Sequence, residues 1–393
     1  MYIPRQIKKE LRTLIKEYPV VTILGPRQAG KTTLAKKVLK DYEYSNLEDP
    51  ETRSLAESDP KAYLNQFGKK VILDEIQRVP ELLSYIQVES DAHPINGRYV
   101  LTGSHQLSLR EAITQSLAGR TAILNLLPLS IAELQEAGVE SNGFTEACFI
   151  GFLPRVYEQS QRPSTAYANY YQTYVERDVR QLIQLKDQTL FEKMLKLMAG
   201  RVGQLMDYSS LANDVGVDSK TIRHWISILE ASFIVFKLPP YFENFGKRVI
   251  KSPKYYFTEV GLLTYLLGIR KPEQIQRDPL VGNIFENLVI IEALKSQYNQ
   301  GKAADLSYFR DSKGNEVDLL IGTGRDLIGI EIKSATTFHP SHLKGLHKFR
   351  DLSKTMAKGV LIYNGTSIQL SDNLHVVPYT ETRKAVCHEG VYH

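Results

Sequence analysis

The stretch that decides the fold of this chain is VVTILGPRQAGKTTLAKKVL, residues 20–39 of 393. Its start, Val20–Leu24, is a short β-branched run typical of a buried strand, and Thr33–Leu39 has the composition of a helix. The loop between them, residues 25–32, has the pattern G-x-x-x-x-G-K-T. Glycines in such a loop let backbone N–H groups turn toward phosphate oxygens. The sequence therefore predicts a strand, a phosphate-binding loop and a helix in succession.

The loop residues carry the chemical groups that a nucleoside triphosphate and its magnesium ion require. The ammonium of Lys31 is expected to reach the β- and γ-phosphates, and the hydroxyl of Thr32 is expected to ligate Mg²⁺. We therefore predict ATP and Mg²⁺ as cofactors. The predicted nucleotide-binding residues are Gly25, Pro26, Arg27, Gln28, Ala29, Gly30, Lys31, Thr32 and Thr33.

A second apolar run, Lys70–Glu75, ends in two carboxylates. In this arrangement the first acid, Asp74, is expected to hold Mg²⁺ through water, and the second, Glu75, to polarise the attacking water as a catalytic residue. A strand that simply ends in solvated acids would have the same sequence. The assignment therefore depends on the phosphate-binding loop upstream.

Two later segments supply candidates for contact with the γ-phosphate. The run Tyr99–Ser104 ends in small hydroxyl residues, of which Ser104 is the predicted sensor, with Thr102 behind it. Arg120 precedes another apolar run and is predicted to reach the phosphates of a neighbouring subunit, with Arg110 as the competing candidate. Because an arginine supplied by a neighbour stabilises charge on the transferring phosphoryl group, this hypothesis implies a homo-oligomer.

The composition excludes several classes of protein. With 42% hydrophobic and 24% charged residues, the chain has no stretch of about 18 apolar residues that could span a membrane. Its polar first ten residues lack the apolar segment of a secretory signal, so we expect a cytoplasmic protein. The two cysteines, Cys148 and Cys387, suggest neither a zinc site nor a disulfide. A net charge of +5, from 49 basic and 44 acidic residues, does not by itself indicate nucleic-acid binding.

The middle of the chain has helix-turn-helix spacing. Residues 208–229 are expected to form two helices around a turn at Gly216, with Asp218 or Ser219 capping the second helix. Two strand-like runs follow, Phe233–Leu238 and Lys254–Phe257, and together with the helices they resemble a winged-helix domain. Winged helices bind DNA, but they also pack on other domains or proteins. The predicted DNA-binding residues are Lys220, Arg223, His224, Lys247, Arg248 and Lys251.

A third pattern lies near the C-terminus. Asp318 precedes the acid-x-Lys pair of Glu331 and Lys333 by 13 positions, on two strands that form a hairpin-like pair. With Glu286 on a preceding helix, this pattern resembles the PD-(D/E)xK nuclease core. Asp318 and Glu331 would then bind a metal ion and Lys333 would orient or deprotonate water. Val317 stands where that motif has proline, so the domain could instead be a binding platform that does not cleave DNA.

Several of these segments together resemble one family, the prokaryotic AAA-type P-loop ATPases that carry a C-terminal domain of unknown function (DUF4143). The matching segments are residues 25–33, 71–75, 101–104, 116–120, 282–286 and 314–318. The resemblance implies a small helical lid after the ATPase core, in which Arg155 would contact the nucleotide.

The expected fold is therefore α/β: an AAA+ P-loop parallel sheet with a helical lid, then a winged-helix domain, then a PD-(D/E)xK nuclease-like α/β domain. The expected domains are residues 1–135 (ATPase core), 136–200 (lid), 201–270 (winged helix) and 271–393 (nuclease-like domain). The first functional hypothesis is an oligomeric AAA+ ATPase that acts on or remodels DNA. The alternatives are an ATP-controlled regulatory or defence switch, and an ATP-gated, metal-dependent DNA nuclease.

Overall fold

The N-terminal part of the chain is built around a five-stranded parallel sheet. The computed structural model describes residues 2–104, 113, 116–179, 188–241, 251–353, 355–371 and 373–387. The strands are β1 (Val20–Leu24), β2 (Glu43–Asn46), β3 (Val71–Asp74), β4 (Tyr99–Gly103) and β5 (Thr121–Asn125), in the spatial order β2-β3-β4-β1-β5. Every residue of β1, β3 and β4 is buried, as expected for strands covered on both faces.

Helices cover both faces of this sheet. They are α1 (Lys8–Glu17), α2 (Lys31–Val38), α3 (Pro50–Ser58), α4 (Pro60–Asn65) and α5 (Leu82–Ala92). Val21 and Ile23 of β1 pack in one apolar cluster with residues of α1 and α2, whereas Val20 and Leu24 belong to the cluster on the opposite face. This alternation is the period of two expected for a strand.

The order of the strands determines where the site lies. Strand β4 lies between β1 and β3, and all neighbouring strands are parallel. Their carboxyl ends therefore share one edge of the sheet, which is where ligands bind in open α/β sheets. The residues that follow β1, β3 and β4, beginning at Gly25, Glu75 and Ser104, meet at that edge.

The middle of the chain is mostly helical. Its helices are α6 (Ile131–Glu136), α7 (Phe144–Ile150), α8 (Pro154–Glu158), α9 (Pro163–Tyr170), which continues as a π-helical segment (Tyr171–Val179), α10 (Gln188–Ala199), α11 (Tyr208–Val215) and α12 (Ser219–Ala231). Gly216, at φ +96°, forms the turn between α11 and α12, and the carboxylate of Asp218 accepts a hydrogen bond from the Thr221 N–H at 2.8 Å. The predicted pair of helices is therefore present, and Asp218 is the cap of the second.

An antiparallel pair follows α12. It consists of β6 (Val235–Leu238) and β7 (Lys254–Phe257), with Val235 opposite Phe257. The loop that would form a wing, together with Lys247 and Arg248, lies outside the described residues. The winged-helix assignment therefore stays a prediction.

The C-terminal part contains a second sheet, of mixed direction. After α13 (Val260–Leu266), α14 (Pro272–Arg277) and the long α15 (Val281–Tyr298) come β8 (Leu306–Arg310), β9 (Glu316–Thr323), β10 (Asp326–Lys333), α16 (Lys344–Leu352), β11 (Met356–Tyr363), β12 (Ile368–Ser371), β13 (Leu374–Pro378) and α17 (Thr382–Val386). The spatial order is β12-β13-β11-β10-β9-β8. Strands β8, β9 and β10 are antiparallel neighbours, whereas β10 and β11 are parallel. The predicted α/β class of this domain is confirmed.

The parts of the chain share one core. A single cluster of buried apolar residues extends from Ile3 to Val386 and includes residues of both sheets and of the helices between them. The proposed boundaries at 135/136, 200/201 and 270/271 therefore cross packed surfaces and stay predictions. No helix among the described residues is long and apolar enough to cross a bilayer.

Candidate functional site

The phosphate-binding loop packs directly against the segment that follows β5. A Cβ atom on Gly25 would lie 2.0 Å from the carbonyl oxygen of Leu126, a backbone atom that cannot move aside cheaply. The Leu126 N–H also donates to the Leu24 carbonyl at 2.7 Å. Only glycine fits at position 25, because any side chain would force the loop away from the sheet. Gln28 has a left-handed conformation (φ +63°) that is uncommon outside glycine.

Lys31 lies inside the mouth of this loop. It is the first residue of α2, whose N-cap, Gly30, has no side chain to satisfy the free N–H groups of the first turn. The Lys31 ammonium donates 2.9 Å hydrogen bonds to the carbonyl oxygens of Gly25 and Pro26. Burial lowers the pKa of Lys31, although Glu75 and Asp74 oppose that shift. The buried cation and the helix N-terminus together favour an anion such as phosphate.

Asp74 is the centre of a hydroxyl cluster. Its carboxylate accepts hydrogen bonds from Thr32 at 3.0 and 2.9 Å, from Tyr44 at 2.8 Å, and from Thr102. Burial, followed by the hydrogen bond to Asp74, raises the pKa of the Tyr44 phenol. A hydroxyl and a carboxylate in direct contact are hard oxygen ligands of the kind that Mg²⁺ takes, with waters and phosphates completing its shell. Thr32 and Asp74 therefore fit the predicted magnesium ion. No pattern in the sequence had pointed to Tyr44.

Glu75 is held by two residues from the same sheet edge. It has a left-handed backbone (φ +56°), which for a non-glycine residue costs on the order of 1–3 kcal/mol and occurs mostly at functional sites. Ser104 donates to its carboxylate at 3.2 Å. Gln77 also donates to Glu75, and it contacts Ser104 Oγ at 3.1 Å. The structure thus brings Glu75 and Ser104 together and adds Gln77, which the sequence reasoning missed.

A cavity of about 440 Å³ opens at this edge of the sheet. Its lining includes Lys31, Thr32 and Glu75. The lining also includes the charged residues Arg5, Arg27, Glu48 and Glu158 and the apolar or aromatic residues Tyr2, Ile3, Leu129, Pro154 and Tyr174. Phosphate-binding groups and aromatic side chains in one cavity suit a nucleotide, which carries both charge and a flat base. Arg155 lines this cavity, and its contact with nucleotide stays a prediction.

Arg5 holds the phosphate-binding loop through hydrogen bonds to backbone carbonyl groups. No pattern in the sequence around Arg5 had indicated this role. Its guanidinium, 4% exposed, donates 2.7 Å hydrogen bonds to the carbonyl oxygens of Ala29 and Leu127. It also pairs with the fully buried Glu133 at 3.1 Å. Glu133 in turn forms a capping box with Ser130 at the start of α6.

Arg120 lies away from the nucleotide cavity of its own chain. It directly precedes β5, so it lies at the amino edge of the parallel sheet, opposite the phosphate-binding loop. Its guanidinium pairs with Asp91, with one N–O distance of 2.9 Å, and its side chain is about one-third exposed. The competing candidate, Arg110, lies outside the described residues.

The C-terminal acids come together, but with lysines among them. Lys333 Nζ lies 3.2 Å from Asp318 and 3.0 Å from Glu331. Lys254, from β7, lies 3.0 Å from Glu286 and 2.7 Å from Glu316.

The charges of this cluster are nearly balanced. Burial opposes the charge of Lys254, but Glu286 and Glu316 outweigh burial and raise its pKa, so it stays protonated. Burial and the neighbouring Asp318 raise the pKa of Glu331 to about 9. When Arg310, 2.8 Å from Glu316, is counted, four acidic side chains face the three cations Lys254, Lys333 and Arg310.

This arrangement does not fit a metal ion in the nuclease-like cluster. The ammonium of Lys254 already pairs with Glu286 and Glu316, and that of Lys333 pairs with Asp318 and Glu331. Across the described part of the chain, no group of three or more His, Cys, Asp or Glu side chains is arranged to hold a metal ion. The metal-binding roles of Asp318 and Glu331 stay predictions that this geometry does not favour.

The predicted DNA-contacting residues of α12 are on its solvent side. Lys220, Arg223 and His224 are exposed, whereas Ile222, Trp225 and Ile226 of the same helix are buried. The Arg223 guanidinium stacks 3.8 Å from the centre of the Tyr208 ring. Lys251 is also exposed.

Comparison with protein-family models defines the class of protein. Residues 17–135 match the AAA domain, residues 141–273 match a domain of unknown function (DUF8612), and residues 281–382 match a second domain of unknown function (DUF4143). The chain therefore contains an N-terminal AAA domain and a C-terminal DUF4143 domain, as the sequence motifs predicted.

Sequence relatives show the family to which the chain belongs. The chain is 30% identical over 380 residues to uncharacterized proteins of Mycobacterium tuberculosis and Mycobacterium bovis, an alignment that covers 95% of this chain and 83% of each relative. The chain belongs to the same family as these mycobacterial proteins. Among solved structures, the Walker-type ATPase of Pyrococcus abyssi aligns with 67% of this chain and 96% of its own, at 14% identity and a TM-score of 0.44.

Proposed function

We propose that this protein hydrolyses ATP with Mg²⁺, that it does so as a homo-oligomer, and that it acts on DNA. The observation that carries the proposal is the convergence of Lys31, Thr32, Asp74 and Glu75 at one edge of the parallel sheet. Phosphate, metal and water-polarising groups are thereby within reach of one cavity. This is the arrangement that phosphoryl transfer to water requires.

Each residue of the site has a role in this proposal. Lys31 and the N-terminus of α2 bind the β- and γ-phosphates, and Thr32 and Asp74 hold the magnesium ion, which neutralises charge on the phosphates. Glu75 orients and polarises the attacking water. Gln77 and Ser104 fix the Glu75 carboxylate, and Ser104 is the proposed sensor of the γ-phosphate.

The position of Arg120 is the reason for proposing an oligomer. Strand β5 has five residues, so Arg120 lies about 16 Å along the strand direction from the edge that carries the loop. That distance keeps its guanidinium from the nucleotide of its own chain. Its side chain is about one-third exposed, and it would have to leave its pair with Asp91 to reach the nucleotide of a neighbouring subunit.

The exposed face of α12 is the reason for proposing DNA. Lys220, Arg223 and His224 lie on the second helix of a helix-turn-helix pair, the helix that enters the major groove in proteins of that class. The capping carboxylate of Asp218 accepts hydrogen bonds at its start and is therefore engaged with the backbone. Lysine and arginine on such a face would contact phosphates and base edges.

ATP turnover measured with and without single-stranded, duplex and branched DNA tests the proposal. We expect DNA to stimulate turnover, and the double variant Lys220→Ala/Arg223→Ala to lose that stimulation while keeping basal turnover. Lys196→Ala, which removes an exposed lysine of α10, is the matched control. Turnover that is indifferent to every DNA would contradict the DNA role.

A second candidate function is an ATP-controlled switch. A specific contact favours it: the Ile131 N–H donates to Glu292 of α15 at 2.8 Å, and Lys295 donates to the Leu129 carbonyl at 2.7 Å. These bonds connect the C-terminal domain to the segment that also contacts Arg5 and the nucleotide cavity. DNA-independent turnover together with a nucleotide-dependent change in oligomeric state would support this candidate. The ATP-gated nuclease, the third hypothesis, requires a metal in the C-terminal cluster.

A further inference from the structure

A lysine from another part of the fold lies in the middle of the C-terminal carboxylate cluster. Lys254 comes from β7, the strand that follows the helix-turn-helix pair, whereas its partners Glu286 and Glu316 come from α15 and β9. Its side chain is 4% exposed. It thus joins three elements, and one of its partners, Glu316, lies two residues before the predicted metal ligand Asp318 on β9.

The lysine is fixed in place by its own strand. Three residues further along β7, the Phe257 N–H donates to the Asn287 side chain at 2.7 Å, and the Asn287 amide donates back to the Phe257 carbonyl at 2.9 Å. Asn287 is fully buried on α15, next to Glu286. This two-way bond fixes the position of β7 against α15 and so holds the backbone of Lys254 close to Glu286.

The cluster is also covered from a second side. A Cβ atom on Gly345, in α16, would lie 1.9 Å from the carboxylate of Glu331 and 2.2 Å from the carbonyl oxygen of Glu316. The backbone of α16 therefore lies directly on the acids. Asp318 and Glu331 are 8% and 5% exposed, so little of either residue faces solvent.

We infer that Lys254 serves as a permanent internal cation of the C-terminal domain, taking the place of a divalent metal and joining this domain to the helix-turn-helix segment. The carboxylate cluster is then a structural junction. The charge that a metal would supply comes from Lys254 and Lys333 instead. This inference is independent of the proposed ATPase function, because none of these residues lines the nucleotide cavity.

Mn²⁺ binding by the full-length, nucleotide-free chain tests the inference. All variants carry Asp74→Asn, so that the acid of the ATPase site does not contribute, and bound Mn²⁺ is measured by the loss of the free-ion electron paramagnetic resonance signal. We expect no difference at millimolar Mn²⁺ between the Asp74→Asn chain and the same chain with Asp318→Asn. An additional bound Mn²⁺ that disappears with Asp318→Asn would overturn the inference.

A second comparison addresses Lys254 itself. Lys254→Met keeps the length of the side chain and removes its charge, so we expect a folded variant to gain an Asp318-dependent Mn²⁺ site and to have a lower Tm that Mn²⁺ partly restores. A folded Lys254→Met chain that binds no more Mn²⁺ than its parent would contradict the role of Lys254 as the excluding cation. If Lys254→Met does not fold, the comparison of the parent with Asp318→Asn decides the question alone.

Discussion

The Arg5 guanidinium donates a 2.7 Å hydrogen bond to the carbonyl oxygen of Ala29, a residue of the phosphate-binding loop. The same guanidinium neutralises Glu133, which is fully buried. The N-terminal segment of the chain is therefore part of the support of the nucleotide site. Removing Arg5 would leave a buried carboxylate without its cation, a change that commonly costs about 3–5 kcal/mol.

We accordingly expect Arg5→Met to lower the free energy of unfolding by about 3 kcal/mol or more and to weaken ATP binding. Urea denaturation and nucleotide titration measure the two effects. Arg383→Met is the matched control, because Arg383 pairs with Glu136 at the same 3.1 Å but on the surface, where such a pair contributes about 1 kcal/mol or less. Equal losses in the two variants would contradict a special role for Arg5.

Two variants of the nucleotide site should separate ATP binding from ATP hydrolysis. Lys31→Ala is expected to lower ATP affinity, because it removes the buried cation from the loop. Glu75→Gln is expected to keep ATP bound while turnover falls by roughly 10²–10⁴-fold, the usual contribution of a positioned general base. Filter binding and phosphate release measure the two effects. The control is Glu57→Gln, an exposed acid of α3, and wild-type turnover in Glu75→Gln would remove Glu75 from its catalytic role.

Tyr44 should influence the magnesium requirement. Tyr44→Phe deletes only the hydroxyl that donates to Asp74 at 2.8 Å, and loss of such a supporting hydrogen bond commonly lowers metal affinity or activity about 10- to 100-fold. We expect the Mg²⁺ concentration for half-maximal turnover to rise by about tenfold or more. Tyr63→Phe is the control, because its hydroxyl contacts Ser45, the neighbour of Tyr44 on β2, and not Asp74. Identical Mg²⁺ curves for both variants would argue against the assignment of Asp74 as the metal-holding acid.

Arg120 should act between subunits. Arg120→Ala is expected to bind ATP normally and to hydrolyse it at a small fraction of the wild-type rate, since an arginine of this kind contributes roughly 10³-fold or more. Mixing Arg120→Ala with Lys31→Ala should restore part of the activity. In a mixed oligomer the Arg120→Ala chain binds ATP through its intact Lys31, and the neighbouring Lys31→Ala chain supplies the arginine. Arg12→Ala, an exposed arginine on α1, is the control. Full turnover of Arg120→Ala alone would exclude Arg120 as the residue that acts in trans.

The residues of the nucleotide site differ in how far the sequence could reveal them. Lys31, Asp74, Glu75 and Ser104 each follow an apolar strand run, so a local pattern was sufficient to single them out. Arg5 could not be found in this way, because its partner Glu133 is 128 residues distant and no local pattern links them.

The C-terminal domain shows the same limit more clearly. The spacing of Asp318, Glu331 and Lys333 correctly indicated that these side chains would meet. It could not indicate Lys254, which lies in the apolar strand KYYF and would be expected at a surface if judged by residue type alone. Whether an acid cluster is open to a metal depends on what packs over it, and that information is distributed over the whole fold.

The bonds between α15 and the segment after β5 also bear on how the protein is made. Glu292, which accepts from the Ile131 N–H, follows Ile131 by 161 residues. At roughly 5–20 residues per second, synthesis of that interval takes on the order of 10 s. During this time all five strands of the parallel sheet have been synthesised, but Glu292 and Lys295, the side-chain partners of the Ile131 N–H and the Leu129 carbonyl, have not. The contacts between this segment and α15 can therefore form only after all five strands have been synthesised. A chain released before residue 295 would carry its nucleotide motifs without these contacts.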